Sequence, residues 1–271
     1  MALTEFQRAV CRVIAANRLG RGECDVAGGT ALNLLAGGAR ISRDIDIFHD
    51  TNAALDAAWA DDRALLAANG YEVRPLRERP AYIEAVVAKG NDSVLLEWTR
   101  DSAYRFYPLV RHEDLGLTLH PFDLATNKVL ALVGRLEIRD WLDVLTCHER
   151  IQPLGYLAWA ACGKDPGFSP AAILEQAGRS GRYTQHELDG LAFAGPPPEL
   201  AAASRAWHAM LGQAREIVGL LPADEAGKCV LERRGLLYAG PPDRVVADLA
   251  AGTLIFHEGS IRGAFPRIAA G

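Results

Sequence analysis

Cysteine is sparse and unpatterned in this chain. Cys11, Cys24, Cys147, Cys162 and Cys229 are odd in number, and no two stand in C-x-x-C spacing. That argues against a disulfide framework and against a cysteine-built structural zinc site. The seven histidines include no H-E-x-x-H pair of the kind that holds catalytic zinc on a helix. No uninterrupted apolar stretch reaches the roughly 18 residues of a membrane span. The opening MALTEFQRAV carries charge early and has no apolar core, so no secretory signal is expected. A reduced, cytoplasmic setting with no membrane partner fits these absences best. An excess of positive charge is missing too: Lys and Arg number 29 against 34 Asp and Glu, for a net charge of −5. Contact with a nucleic acid must therefore come from a local patch and not from the chain as a whole. Internal repeats and low-complexity tracts are absent.

What is present is an ordinary globular composition, with 49% hydrophobic and 23% charged residues over 271 positions. That length suffices for one large domain or two ordinary ones. Apolar residues at helical spacing (Phe6, Val10, Val13, Ile14) predict a helix over 6–19 that Gly20 and Gly22 end. The Gly28-Gly29-Thr30 turn opens a short helix, with Thr30 as its N-cap, and Gly37-Gly38 ends it. Residues 52–69 read as a helix stopped by Gly70, and 71–99 as a meander of short strands turning at Gly90-Asn91-Asp92. From Pro121 the pattern is mainly helical, through two adjacent segments and then 170–178, 184–193 and 198–221. The clearest break is GPPPEL at 195–200, and LIFHEGSIRGAFPRI in the tail reads as a strand pair or a flexible end. The fold class expected is α+β, with a core over 1–118 and a helical domain over 119–271.

The segment RDIDIF carries the first chemistry. Asp44 and Asp46 are two apart in a strand, so both carboxylates leave the same face while Ile45 and Ile47 point into a core. Two like charges on one face repel, and a hard divalent cation offsets that cost. Mg²⁺ takes one or two protein carboxylates together with substrate phosphates. D-x-D alone is short and common, and two solvated acids on an edge strand would look the same. Upstream, however, lie Gly28 and Gly29 with Thr30, fourteen residues before Asp44. A glycine turn opening a helix presents unpaired N–H groups and the positive end of the helix dipole, which suits phosphate. Glycine also lets the backbone approach a phosphate closely.

Together, AGGTALNLLAGGARISRDIDIF resembles the G-G/S…D-x-D signature of the DNA polymerase β superfamily of nucleotidyltransferases. It is most similar to the AbiEii/AbiGii toxin family, in which a GGTAL stretch precedes R-x-S-x-D-I-D and a hydrophobic residue. Those positions are Gly28, Gly29, Thr30, Ala31 and Leu32, then Arg40, Ser42, Asp44, Ile45 and Asp46. The resemblance implies a polymerase β-type core with a mixed sheet, an NTP substrate and Mg²⁺, with two ions in the active complex. It also implies a third metal-side carboxylate from a later strand. Glu97 in SVLLEWT is the candidate, where the family usually has Asp, and Asp101 is its rival. FDLATNKVLALVGRLEIRDWLDVL resembles the family as well, in a helical lysine, an arginine about two turns later and R-D-x-x-D. Lys128 would then reach the triphosphate and Asp143 would serve in a supporting part. Without the resemblance, Lys128 would snorkel out of an apolar helix and Asp143 would belong to a helix salt bridge with Arg139. Arg40 suits a bidentate phosphate contact or a tie to the glycine loop, and the sequence does not separate these.

The expected function is Mg²⁺-dependent transfer of a nucleotide from an NTP to RNA, at the tRNA 3′ end, by a toxin with a cognate antitoxin as partner. Arg74, Arg77, Arg79, Lys89, Arg100, Arg105 and Arg111 offer a basic face for the RNA, but Glu78, Glu84, Asp92, Glu97 and Asp101 interleave with them. Two rivals stand beside this expectation: transfer to a small molecule, as with aminoglycosides, or to a protein; and a non-catalytic nucleotide-binding or interaction module.

Overall fold

The computed structural model describes residues 3–268. In chain order the elements are α1 (Glu5–Arg21), β1 (Cys24–Val26), α2 (Gly28–Leu35), β2 (Arg40–Ile41), β3 (Asp44–His49), α3 (Asn52–Ala68), β4 (Glu72–Arg79), β5 (Tyr82–Lys89), β6 (Asp92–Arg100), β7 (Tyr104–Arg105), β8 (Val110–His112) and β9 (Gly116–Thr118). There follow α4 (Pro121–Arg135), α5 (Ile138–Arg150), α6 (Leu154–Ala161), α7 (Pro170–Ala177), α8 (Gln185–Asp189), β10 (Ala192–Phe193), α9 (Leu200–Leu220), a 3₁₀ turn at Ala223–Glu225, β11 (Cys229–Glu232), α10 (Pro242–Ala250), β12 (Leu254–His257) and β13 (Ser260–Ile261).

Two compact units form. The first holds residues up to Ala103, then Leu109–His120 and Ala192–Gly195; the second holds Tyr104–Pro108, Pro121–Leu191 and Pro196–Gly271. In the first unit seven strands form one sheet in the order β4-β5-β6-β3-β1-β9-β8. β3 runs parallel to β6 and β1 parallel to β9, while the other pairs are antiparallel, so the sheet is mixed. Its core face alternates as the period of two demands, with Ile45 and Ile47 on β3, Ile83, Ala85 and Val87 on β5, and Val94, Leu96 and Trp98 on β6 all buried. α1 and α3 cover that face. α1 starts at a capping box between Thr4 and Gln7 and stops at Gly22, which adopts φ +70°. Trp59 of α3 meets Trp98 edge-on with ring centroids 4.9 Å apart. A buried network locks the same layer: Asp62 accepts from Asn17 at 2.9 Å and from the Trp98 indole at 3.0 Å, and lies 3.5 Å from the Arg18 guanidinium.

The second unit is mainly helical. Tyr156, Trp159, Ile217, Leu221, Val230, Tyr238 and Val245 form one of its clusters. Burying each such large side chain contributes about 1.5–3 kcal/mol. Gln152 fastens the strands to the helices by donating to the carbonyls of Val230 (2.9 Å) and Tyr238 (2.8 Å).

Three local expectations need correction. Thr30 is not an N-cap: Ala27 holds that position and Thr30 lies one turn inside α2. The helix expected over 184–193 ends at Asp189, before Gly190, and Ala192–Phe193 pairs instead with Arg40–Ile41. The tail strands do not pair with each other; β12 pairs with β11 and β13 with β7. Between the first of these pairs the chain inserts α10, whose start is set by Pro at its first position.

Candidate active site

β3 presents Asp44, Asp46 and Phe48 half-buried on one face and Ile45, Ile47 and His49 buried on the other. The neighbouring strand β6 sets Leu95 beside Asp44 and Glu97 beside Asp46 in parallel register. One strand further, Glu84 of β5 stands opposite Glu97. Three strands thus bring Asp44, Asp46, Glu97 and Glu84 onto one face of the sheet.

The glycine turn is fitted to that face. Gly28 has φ +61°, a conformation costly to any residue with a Cβ. A Cβ there would overlap the Asp46 carboxylate, and one on Gly29 would overlap the Arg40 guanidinium and lie 3.0 Å from the Ser42 hydroxyl. Side-chain-free backbone is therefore what allows α2 to begin against the carboxylates. Main-chain and hydroxyl bonds fix the approach. Ala27 N–H donates to the Asp46 carbonyl at 3.1 Å. The Thr30 hydroxyl, fully buried, donates to the Asp44 carbonyl at 2.6 Å. Ser42 donates its hydroxyl proton to the Asp44 carboxylate at 2.7 Å, and Gln7 holds the Ser42 carbonyl at 2.7 Å. The N-cap residue of α2, Ala27, contributes no side-chain cap. The helix starts at Gly28, against the Asp46 carboxylate, so the positive end of its dipole lies at the site, as in phosphate-binding helix starts. Arg40 is buried beneath the turn, with its guanidinium against Gly29.

Tyr82 belongs to this site although the sequence did not single it out. Its hydroxyl hydrogen-bonds to Glu97. Burial first, and then the negative charges of Glu97 and Glu84, push its pKa up to about 12. The available signal was parity: Tyr82, Glu84 and Val86 alternate with the buried Ile83, Ala85 and Val87. Asp101, the rival to Glu97, lies exposed beyond β6 and accepts from Ser102 N–H at 2.7 Å.

In the helical unit, Lys128 of α4 is buried and makes ion pairs with two carboxylates of α5, Asp140 at 2.9 Å and Asp143 at 3.2 Å. Arg135 joins Asp140 at 2.9 Å. Asp140 and Asp143 are buried almost completely. Two cations thus balance two anions, which is how a buried charge cluster becomes tolerable. Lys128 does not snorkel outward. The R-D-x-x-D spacing sets Asp140 and Asp143 on one helical face, where a single lysine can bridge them.

Among the described residues no trio of His, Cys, Asp or Glu side chains stands gathered as a ready metal cage. A two-carboxylate Mg²⁺ site does not require one, because substrate oxygens and water complete the shell. Asp44 and Asp46, all-oxygen donors on one face beside a helix start, fit such a cation.

The sequence matches the family described as "Nucleotidyl transferase AbiEii toxin, Type IV TA system" over residues 17–223. The chain belongs to that family. It is a nucleotidyltransferase of type IV toxin–antitoxin ancestry, which implies an NTP substrate and an antitoxin partner. The non-catalytic alternative is thereby set aside. Among solved structures the fold resembles JHP933 from Helicobacter pylori, with TM-score 0.53 and 14% identity over 80% of this chain and 95% of that one. It also resembles MenT4, nucleotidyltransferase toxin Rv2826c from Mycobacterium tuberculosis H37Rv, with TM-score 0.52 and 15% identity over 80% and 84% of the two chains. A search of curated proteins finds no match. Among the described residues no helix is long and apolar enough to cross a membrane.

Proposed function

We propose that this nucleotidyltransferase moves a nucleoside monophosphate from an NTP to the 3′ end of an RNA, with tRNA as acceptor. The single observation that carries the site assignment is the seating of Gly28 against Asp46. It brings a helix start and a carboxylate pair to one place. The N–H groups of Gly28, Gly29 and Thr30 receive the triphosphate, and Arg40 braces their turn from below. Asp44, oriented by Ser42, and Asp46 hold Mg²⁺, with Glu97 beside them on the acceptor side. An ion held there would supply charge neutralisation for the triphosphate and a lowered pKa for the attacking hydroxyl. The hydroxyl oxygen then bonds to the α-phosphorus in line with the departing pyrophosphate, so the protein's task is positioning and charge stabilisation. Tyr82 holds Glu97 in place. Lys128 and Asp143, paired with each other and with Asp140, complete the family pattern as a buried charge cluster that holds α4 to α5.

Incubation with each α-³²P-NTP, Mg²⁺ and total tRNA tests the acceptor, with Asp46→Ala as control. Label on tRNA that is absent with the variant supports the proposal and names the nucleotide. NTP binding without label on tRNA removes RNA as acceptor and points to a small molecule or a protein.

A further inference from the structure

The antiparallel meander contains one irregularity, and it sorts the arginines. β4 pairs with β5 as Arg74↔Val86 and Pro75↔Ala85, then Arg77↔Glu84 and Arg79↔Tyr82, with a register shift between Pro75 and Arg77. Leu76 is the extra residue. Strict alternation would put Arg74 on one face with Leu76 and Glu78, and Arg77 and Arg79 on the other. A one-residue bulge reverses the parity beyond it. Arg74, Arg77 and Arg79 therefore all share a face with Tyr82, Glu84 and Val86. In the β5–β6 register that is also the face of Glu97, and through β3 the face of Asp44 and Asp46. The other basic residues of the meander go the opposite way: Lys89 and Arg100 each follow by two residues, and so share the face of, the buried Val87 and Trp98.

All three arginines are exposed, and β4 is the edge strand of the sheet. Arg77 lies 3.7 Å from Glu84, and Glu72 is the acid that β4 itself contributes to this face. The edge therefore keeps a net positive charge, while the carboxylates sit three strands inward. At about 4.8 Å per strand that separation is about 14 Å. A positive rail at that reach from a phosphoryl-transfer centre suits the backbone of a strand whose end enters the centre. Guanidinium groups are well matched to phosphate oxygens.

We propose that Arg74, Arg77 and Arg79 form a binding rail for the phosphates of the acceptor RNA just behind its reacting 3′ end. The inference rests on the proposal that the acceptor is RNA, and it names the part of this chain that would grip it. The rail recognises backbone and not base, so it gives affinity and register without sequence preference.

The test is fluorescence anisotropy of a 5′-fluorescein single-stranded RNA ending in a free 3′ hydroxyl, titrated with the full chain at several KCl concentrations without NTP. The triple variant Arg74→Gln/Arg77→Gln/Arg79→Gln should bind about tenfold or more weakly, and its slope of log K against log salt should shrink by about 2, from about 0.7 per lost phosphate contact. Lys89→Gln/Arg100→Gln removes charge from the same strands on the opposite face and should leave both affinity and slope near wild type. These positions are exposed, and a circular dichroism melt checks that each variant folds. Unchanged binding in the triple variant, an equal loss in the opposite-face control, or no RNA binding by the wild type would each overturn the rail. Rail-dependent binding of RNA that is never labelled from α-³²P-NTP would sustain the rail and defeat RNA as the acceptor. Labelled RNA with rail-independent binding would do the reverse.

Discussion

Two pairs of aspartates sit at short spacing in this chain and meet opposite fates. Asp44 and Asp46 share a strand face, half-buried, with a glycine turn against one and a serine hydroxyl on the other. Asp140 and Asp143 share a helix face, fully buried, and are balanced by Lys128 and Arg135. The first pair is only half-buried, and that exposure gives it access to a cation from outside. The second has cations built in. The contrast teaches that spacing gives a shared face, and that burial decides what the face is for.

The largest effect that would break this comparison lies in the buried pair. Asp140→Ala leaves Lys128 and Arg135 without a carboxylate they both hold, and should destabilise the fold by about 3–5 kcal/mol, read by urea unfolding. A loss below about 1 kcal/mol would mean that the cluster is not the structural member of the comparison. Gly28→Ala is next. The left-handed backbone and the overlap with Asp46 should cost about 1–3 kcal/mol and weaken NTP binding, measured by thermal melting and calorimetric titration. Retained stability with retained affinity would show that the turn has room to shift.

Two smaller effects are pH-dependent. His49, on the buried face of β3, has its pKa pushed down to about 4, first by burial and then by the nearby Arg18 cation. Its folded pKa lies below the unfolded value of roughly 6.5, so the folded state binds fewer protons in that window. Stability is present above it and falls as pH drops toward 4. His49→Gln should flatten the acid limb of a melting-temperature profile between those values, and an unchanged limb would assign acid sensitivity elsewhere. Tyr82 works in the other direction. Its raised pKa of about 12 means that its contribution is present below about pH 10 and is lost as pH rises through the folded value. Tyr82→Phe should flatten the alkaline limb and lower the transfer rate modestly through Glu97. A rate equal to wild type would leave Tyr82 without a part at the site.

Much of the first unit was legible because its signals are local. Alternation in RDIDIF fixes the faces of Asp44 and Asp46, and the glycines mark where α2 must start. Three features were not legible because they depend on distant partners. Thr30 resembles a cap, but its hydroxyl is taken by the Asp44 carbonyl of a strand fourteen residues later. Ala192–Phe193 has helical composition and becomes a strand only because β2 offers it an edge. The bulge at Leu76 leaves no mark in the sequence, yet it decides which arginines share the carboxylates' face. Lys128 was expected among phosphate ligands. Its two aspartate partners could be read from R-D-x-x-D only once α4 and α5 were packed together.

The central claim is that the strand pair, and not the helix pair, is the metal-bearing centre. The most direct test measures Asp46→Asn for both label transfer from α-³²P-NTP and melting temperature. The account predicts a transfer rate lower by about 10³-fold or more, with melting within about 2 °C of wild type, because a half-exposed carboxylate lost from a catalytic centre removes chemistry without removing packing. Near-normal transfer, or a collapse of stability comparable to that of Asp140→Ala, would contradict it.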